Sequence, residues 1–317
     1  MIHTFKALGC CIAMDVDSGA VHVLDELSYD LLNCVTPPMA EHCPEDVIEK
    51  LSQYPRAELE ECWQELKELA EEKLLFEEED YINPQWAVVK NTPIKALCLN
   101  VAHDCNLRCK YCFASSRRAI MSPETAKRAI DFVIEKSGKR HNIEVDFFGG
   151  EPLMAMDTVK ETIAYARSIE EEKDKNFRFT ITTNGMLLNP ENTQYINTEL
   201  KNAVLSLDGR KEVNDNMRPT AGGKGSYDII VPKFQALVEQ RGDQEYYLRG
   251  TFTKENLHFA DDVLHICDDL GFKNVSVEPA TGKDGDPLAI TMEDLPVVFA
   301  EYEKLAKELL KRPDVNF

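Results

Sequence analysis

Between residues 94 and 278 the chain repeats one pattern: a short run rich in Val, Ile, Phe and Thr, then a stretch with helical spacing of apolar residues. The runs fall at 94–101, 143–148, 177–183, 203–207, 246–253 and 274–278. The helical stretches fall near 122–137, 157–171, 191–199, 226–240 and 259–270, with a last one near 292–311. Such alternation predicts a parallel sheet with right-handed helical crossovers. Six strands are too few for the closed eight-stranded barrel. The expected fold class is therefore α/β, a partial (β/α)6 barrel over 94–290 with a wide lateral mouth. The clearest helix opens with Ser122 as N-cap and Pro123 in its first turn, and carries Ala126, Ala129, Ile130, Val133 and Ile134 as an apolar stripe.

Residues 1–80 read as a separate small unit. Strand-like runs at 11–16 and 20–24 flank the turn Asp17-Ser18-Gly19. Asp25 can cap a helix bearing Leu27, Leu31, Cys34 and Val35, which Pro37-Pro38 ends. Pro44 can open a second helix with Val47, Ile48 and Leu51. A third places Leu59, Cys62, Trp63, Leu66 and Leu69 on one face. Three short strands and three helices make a winged-helix-like module. Asn83-Pro84 and Thr92-Pro93 mark 81–93 as a linker, and 291–317 reads as a C-terminal helix.

Charge narrows the partners. Lys and Arg number 36 against 56 Asp and Glu, a net charge of −20, and residues 41–80 alone hold 15 acidic and 4 basic residues. A polyanion is repelled, so nucleic acid and anionic membrane are excluded as expected partners. A neutral or basic peptide is the easier partner, although any one of these carboxylates reads as part of a solvated helix face. No apolar run approaches the roughly 18 residues of a membrane span. The N-terminus shows no signal-peptide pattern, and the expected location is cytoplasmic.

Ten cysteines in such a chain should be mostly reduced. Most stand among apolar residues and read as small buried hydrophobes. Cys105, Cys109 and Cys112 differ, because they crowd into the polar stretch His103-Asp104-Cys105-Asn106-Leu107-Arg108-Cys109-Lys110-Tyr111-Cys112-Phe113. This stretch follows the first strand of the series, where active sites of parallel folds lie. Three thiolates spaced C-x3-C-x2-C can each reach a different iron of one [4Fe–4S] cube, leaving one iron open. Zinc is the alternative, with His103 as the fourth ligand.

At these residues the chain resembles the radical S-adenosylmethionine superfamily. Phe147-Phe148-Gly149-Gly150-Glu151-Pro152, at the end of the second strand, is similar to its glycine–glycine–glutamate motif. There the resemblance implies that Gly149, Gly150 and Glu151 bind the amino group of the methionine moiety, through close-approaching carbonyls and a carboxylate. Thr182-Thr183-Asn184-Gly185 and Ser206-Leu207-Asp208-Gly209 end the third and fourth strands. They resemble the peptide-modifying branch, with sulfatase-maturating enzymes and thioether-forming maturases. The same resemblance puts Thr182 and Asn184 at the cofactor, Ser206 and Asp208 near the ribose, and Arg218 or Arg249 against the methionine carboxylate. Glu278-Pro279 would lie near the adenine.

His3-Thr4-Phe5-Lys6-Ala7-Leu8-Gly9, Asp17 to Asp25, Arg249-Gly250-Thr251-Phe252-Thr253 and Glu293-Asp294-Leu295-Pro296 extend the likeness over almost the whole chain. They resemble the maturases of six-cysteine (SCIFF) peptides. That family implies leader binding by 1–80 and Cys-to-Thr thioether formation on a ribosomally made peptide. Its cofactors are one [4Fe–4S] cluster and S-adenosylmethionine, and its electron donor is a flavodoxin or ferredoxin. The cluster gives the sulfonium one electron, and the resulting 5′-deoxyadenosyl radical takes a substrate hydrogen. Family members continue into a cysteine-rich region with auxiliary clusters, whereas here only Cys267 follows Cys112. The chain thus reads as a truncated form that cleaves the cofactor with little cross-linking. The other readings are a sulfatase-maturating enzyme that makes formylglycine, a peptide-binding fragment without turnover, and a zinc-stabilised scaffold.

Overall fold

The computed structural model describes residues 1–77, 92–114, 118–283 and 285–317. Most of the expected linker at 81–93 lies outside the described residues. The chain forms two compact units, Met1–Lys90 and Asn91–Phe317.

The first unit pairs β1 (Ile2–Ala7), β2 (Cys10–Asp15) and β3 (Val21–Leu24) antiparallel in that order. The two predicted strands are β2 and β3, and β1 is the third. Alternation sorts the sheet's two faces. Cys11, Ala13 and Asp15 are buried, whereas Phe5, Met14, Val21 and Val23 are exposed. Helix α1 (Glu26–Leu32) is capped by the Asp25 carboxylate, which accepts from the Ser28 amide at 2.7 Å. It stops before Cys34 and Val35, because the amides there turn to the Leu31 and Leu32 carbonyls three residues back. Helix α2 (Glu45–Lys50) follows Pro44, and α3 (Arg56–Glu71) follows Pro55. Leu59, Cys62, Trp63 and Leu66 of α3 pack with Ala13, Leu31, Leu32 and Val47. Most of its acidic residues face solvent.

The second unit alternates as expected. Its order is β4 (Ala96–Ala102), α4 (Pro123–Ser137), β5 (Asn142–Gly149), α5 (Met156–Lys173), β6 (Asn176–Thr183), α6 (Pro190–Glu199), β7 (Asn202–Ser206), α7 (Lys211–Met217), α8 (Tyr227–Arg241), β8 (Tyr246–Phe252), α9 (Phe259–Leu264), β9 (Val275–Pro279) and α10 (Leu295–Leu309). All six strands pair in parallel and in sequence order, β4 through β9. This is the open (β/α)6 partial barrel. Val145, Phe147, Phe177, Phe179 and Leu205 are buried in its core, while Asp146, Thr180, Val204 and Tyr247 on the opposite parity stay partly open.

Two departures follow from sequence chemistry. Helix α7 was not foreseen, since five of its seven residues, Lys-Glu-Val-Asn-Asp-Asn-Met, are polar and it carries no side-chain N-cap. Helix α9 is short and passes into a π turn at His265–Asp269. Among the described residues no helix is long and apolar enough to cross a membrane.

Candidate active site

Because the strands are parallel, their C-terminal ends meet at one rim. The loop after β4 carries Cys105, Cys109 and Cys112. It is held like a short extra strand against the segment after α7. The Arg108 amide donates to the Pro219 carbonyl at 2.8 Å, Lys110 to Met217 at 2.9 Å, and Ala221 back to Asn106 at 3.0 Å. None of the three thiols is in a disulfide; Cys105 and Cys109 are half-buried and Cys112 is exposed. Burial pushes the Cys105 and Cys109 thiols up, and the Arg218 charge opposes this at both.

The thiols open onto a cavity of about 430 Å³ at the rim. Gly149, Gly150, Thr182, Asn184, Ser206, Arg218 and Arg249 line it, so the structure brings these expected residues together with the three cysteines. Tyr111, Phe113, Phe148, Thr251 and Pro279 also line it. Asn184 sends its side-chain amide to Cys105 Sγ at 3.5 Å and to Asn106 Oδ1 at 2.8 Å. Arg249 is exposed and paired with Glu278, Nη2 to Oε2 2.5 Å. Arg218 is buried, and its Nε has no hydrogen-bond partner among the described residues.

Two of the residues expected at the cofactor, Glu151 and Asp208, lie behind the cavity lining. Glu151 is fully buried and absent from the cavity lining. Its Oε1 accepts from the Leu153 amide at 3.0 Å and the Thr183 hydroxyl at 2.7 Å, and its Oε2 from the Asn184 amide at 2.8 Å. The carboxylate thus ties β5 to β6. Burial pushes its pKa up, and these three donors oppose the shift.

Asp208 is 2 % exposed and also lies behind the lining. It accepts from the Tyr111 hydroxyl at 2.8 Å and the Thr251 amide at 3.1 Å, and it pairs with Arg218 at 3.4 Å. The glycines serve packing as well. A Cβ on Gly149 would stand 2.2 Å from the Ala102 carbonyl oxygen, and one on Gly150 2.2 Å from that of Asp104. Sequence reasoning missed Tyr111. Its place between two cysteines was visible, but nothing in the sequence pairs it with Asp208.

The Radical SAM superfamily description matches residues 99–276, from the first strand of the barrel to the last. The chain belongs to the radical SAM superfamily. This superfamily uses a [4Fe–4S] cluster and S-adenosylmethionine.

The residues present fit both groups. Three reduced thiols share one loop, and Arg218, whose buried Nε has no hydrogen-bond partner among the described residues, lines the same cavity. Among the described residues no three His, Cys, Asp or Glu gather as ligands of a single metal ion. A cube takes its thiolates at separate irons, so its cysteines need not converge on one metal ion.

Among curated proteins, the chain is 27 % identical over 222 residues to the uncharacterized protein MJ0907 of Methanocaldococcus jannaschii, covering 69 % of this chain and 73 % of that one. It is 32 % identical over 203 residues to the radical SAM cyclopropyl synthase TigE of Paramaledivibacter caminithermalis, with coverage of 58 % and 41 %. It is 27 % identical over 191 residues to the cysteine-type anaerobic sulfatase-maturating enzyme of Clostridium novyi, with coverage of 58 % and 50 %. The chain thus spans about half the length of these last two relatives.

Two solved structures share the fold. The structure of anSMEcpe with bound AdoMet has a TM-score of 0.62 at 19 % identity, covering 71 % of this chain and 63 % of that one. Streptococcus suis SuiB bound to precursor peptide SuiA has a TM-score of 0.56 at 17 % identity, covering 100 % of this chain and 70 % of that one.

Proposed function

We propose that this radical SAM protein acts on a ribosomally made, cysteine-rich peptide and joins cysteine sulfur to a threonine carbon. The observation that carries the peptide reading is the open edge of β3. Among the described residues this strand pairs only with β2, and its Val21 and Val23 are exposed. A leader peptide can add there as a further strand, with main-chain hydrogen bonds giving affinity and side-chain pockets giving specificity. The acidic stretch 41–80 favours a leader with basic residues.

In the barrel, Cys105, Cys109 and Cys112 would hold the cluster. Bound there, the cluster supplies the single electron that cleaves the sulfonium of S-adenosylmethionine. The chain's own groups bind and orient. Ser206, Thr182 and Asn184 offer neutral polar contacts along the rim. Arg218 brings a fixed positive charge: burial alone would lower its pKa, but Tyr111, Cys109 and Asp208 outweigh it. An anion at Arg249 would share the guanidinium with Glu278, which holds only Nη2. Phe113, Phe148 and Pro279 add apolar surface to the cavity lining. The electron donor in this reading is a flavodoxin or ferredoxin.

Sulfatase maturation is the second reading, favoured by the identity to the Clostridium novyi enzyme. One experiment separates the two. The chain is reconstituted anaerobically with iron and sulfide, then incubated with dithionite, S-adenosylmethionine and a cysteine-rich precursor. A thioether removes two hydrogens per link and keeps the sulfur, whereas formylglycine made from cysteine loses it. Deoxyadenosine with unchanged peptide would leave only cofactor cleavage. No deoxyadenosine from a loaded, reduced chain would overturn the proposal.

A further inference from the structure

Tyr111 stands between two cysteines in the sequence, yet its hydroxyl turns inward to a sealed ion pair. It donates to Asp208 Oδ2 at 2.8 Å and accepts from Arg218 Nη1 at 2.5 Å. Asp208 follows β7, it also accepts from the Thr251 amide of β8, and Arg218 caps α7. One buried carboxylate therefore joins the cysteine loop to β7, β8 and α7. The Arg218 side chain is 9 % exposed and that of Asp208 0 %. Both groups lie at the cysteine site: Arg218 lines the cavity together with the three cysteines, and Asp208 sits behind it, bonded to Tyr111 of the cysteine loop.

We propose that Asp208 is a positioning and charge-balancing residue for the iron–sulfur site: it holds Tyr111, and through it the cysteine loop, and offsets the Arg218 charge beside the thiolates. The inference rests on the assignment of Cys105, Cys109 and Cys112 as cluster ligands. Reduction adds one electron, here from dithionite, to the cluster, so an uncompensated positive charge nearby favours the reduced form. A charge held in a low-dielectric site acts more strongly than one in water. With the pair intact, Asp208 offsets part of the Arg218 charge at the site. The cluster then stays hard to reduce, as a donor of electrons to a sulfonium must.

The test is an anaerobic redox titration followed by electron paramagnetic resonance, with iron and sulfide counted in each sample. Asp208→Asn keeps the shape and an acceptor for the Thr251 amide but leaves Arg218 unbalanced. Its midpoint potential should shift to more positive values. The double variant Asp208→Asn/Arg218→Gln is neutral again and should return toward the wild-type potential. Tyr111→Phe leaves the ion pair and removes the tether, so it should lose cluster occupancy with little shift in potential. A purely structural role would lower occupancy in all three variants without a positive shift in Asp208→Asn alone. That pattern, or an unshifted Asp208→Asn, would overturn the proposal. A wild-type chain that takes up no cluster would instead overturn the ligand assignment beneath it.

Discussion

The Gly150 α-carbon faces the Asp104 carbonyl oxygen so closely that a methyl group there would stand 2.2 Å from it. The Glu151 amide donates to that same carbonyl at 3.0 Å, and the Gly150 amide donates to Ala102 at 2.6 Å. The end of β5 is thus laid directly against the start of the cysteine loop. Gly150→Ala places a methyl group against the Asp104 backbone, where no flexible side chain can give way. Overpacking of this kind costs about 1–3 kcal/mol. The variant should melt earlier and bind less iron and sulfide after reconstitution. Wild-type iron content would show that the loop position does not depend on this contact.

Glu151→Gln tests the buried tie between β5 and β6. The amide oxygen can replace Oε1, but the NH2 group then faces the Asn184 amide, donor against donor. An unsatisfied buried group costs about 1–3 kcal/mol. Urea unfolding should show a loss of that order, with no change in m-value. A neutral result would mean that the carboxylate is not the acceptor for Asn184.

The architecture was legible because the strands carry alternating apolar residues, such as Ile143, Val145 and Phe147, and the helices carry strong caps such as Ser122-Pro123. The cysteine loop was legible because thiols placed among Asn106, Arg108 and Lys110 cannot be core packing, and three within eight residues suit shared ligation. Helix α7 was not, because its stability comes from packing rather than pattern. Its Asn214 is sealed against Ser226, Nδ2 to Oγ 3.1 Å. The inward turn of Glu151 and Asp208 was not legible either. A motif gives residue types at a strand end, but which oxygen is already occupied depends on neighbours such as Asn184 and Tyr111, distant in the chain.

Asp25 gives the first unit a pH dependence. Hydrogen bonds from the Ser28 amide hold its carboxyl below the usual carboxylate range. A folded pKa below the unfolded one means that the stabilisation is fully present above the unfolded value, about 3.9, and lost as pH falls through the folded value. Asp25→Ala should cost about 1 kcal/mol at neutral pH, as helix N-cap deletions do. The difference between wild type and variant should vanish at strongly acidic pH. A difference that persists there would assign the effect to something other than the ionised cap.

Thiol reactivity offers a test that links the fold to the cluster. Burial pushes Cys267 up to about 11, with Asp268 adding to the shift. Cys43 is likewise pushed up to about 11 by burial and then by Glu60. Only the thiolate reacts, so at neutral pH such thiols alkylate at least about a hundredfold more slowly than an ordinary cysteine of pKa ~8.5. Cys10, Cys98 and Cys112 are exposed. In the chain without metal, a maleimide should label these three well before Cys43 and Cys267, as read by peptide mass spectrometry. After anaerobic loading with iron and sulfide, Cys112 should become protected together with Cys105 and Cys109, while Cys10 and Cys98 stay reactive. The internal comparison matters, because general compaction would slow every cysteine, whereas ligation silences only those bound to iron. Equal labelling of Cys112 before and after loading would remove it from the ligand set.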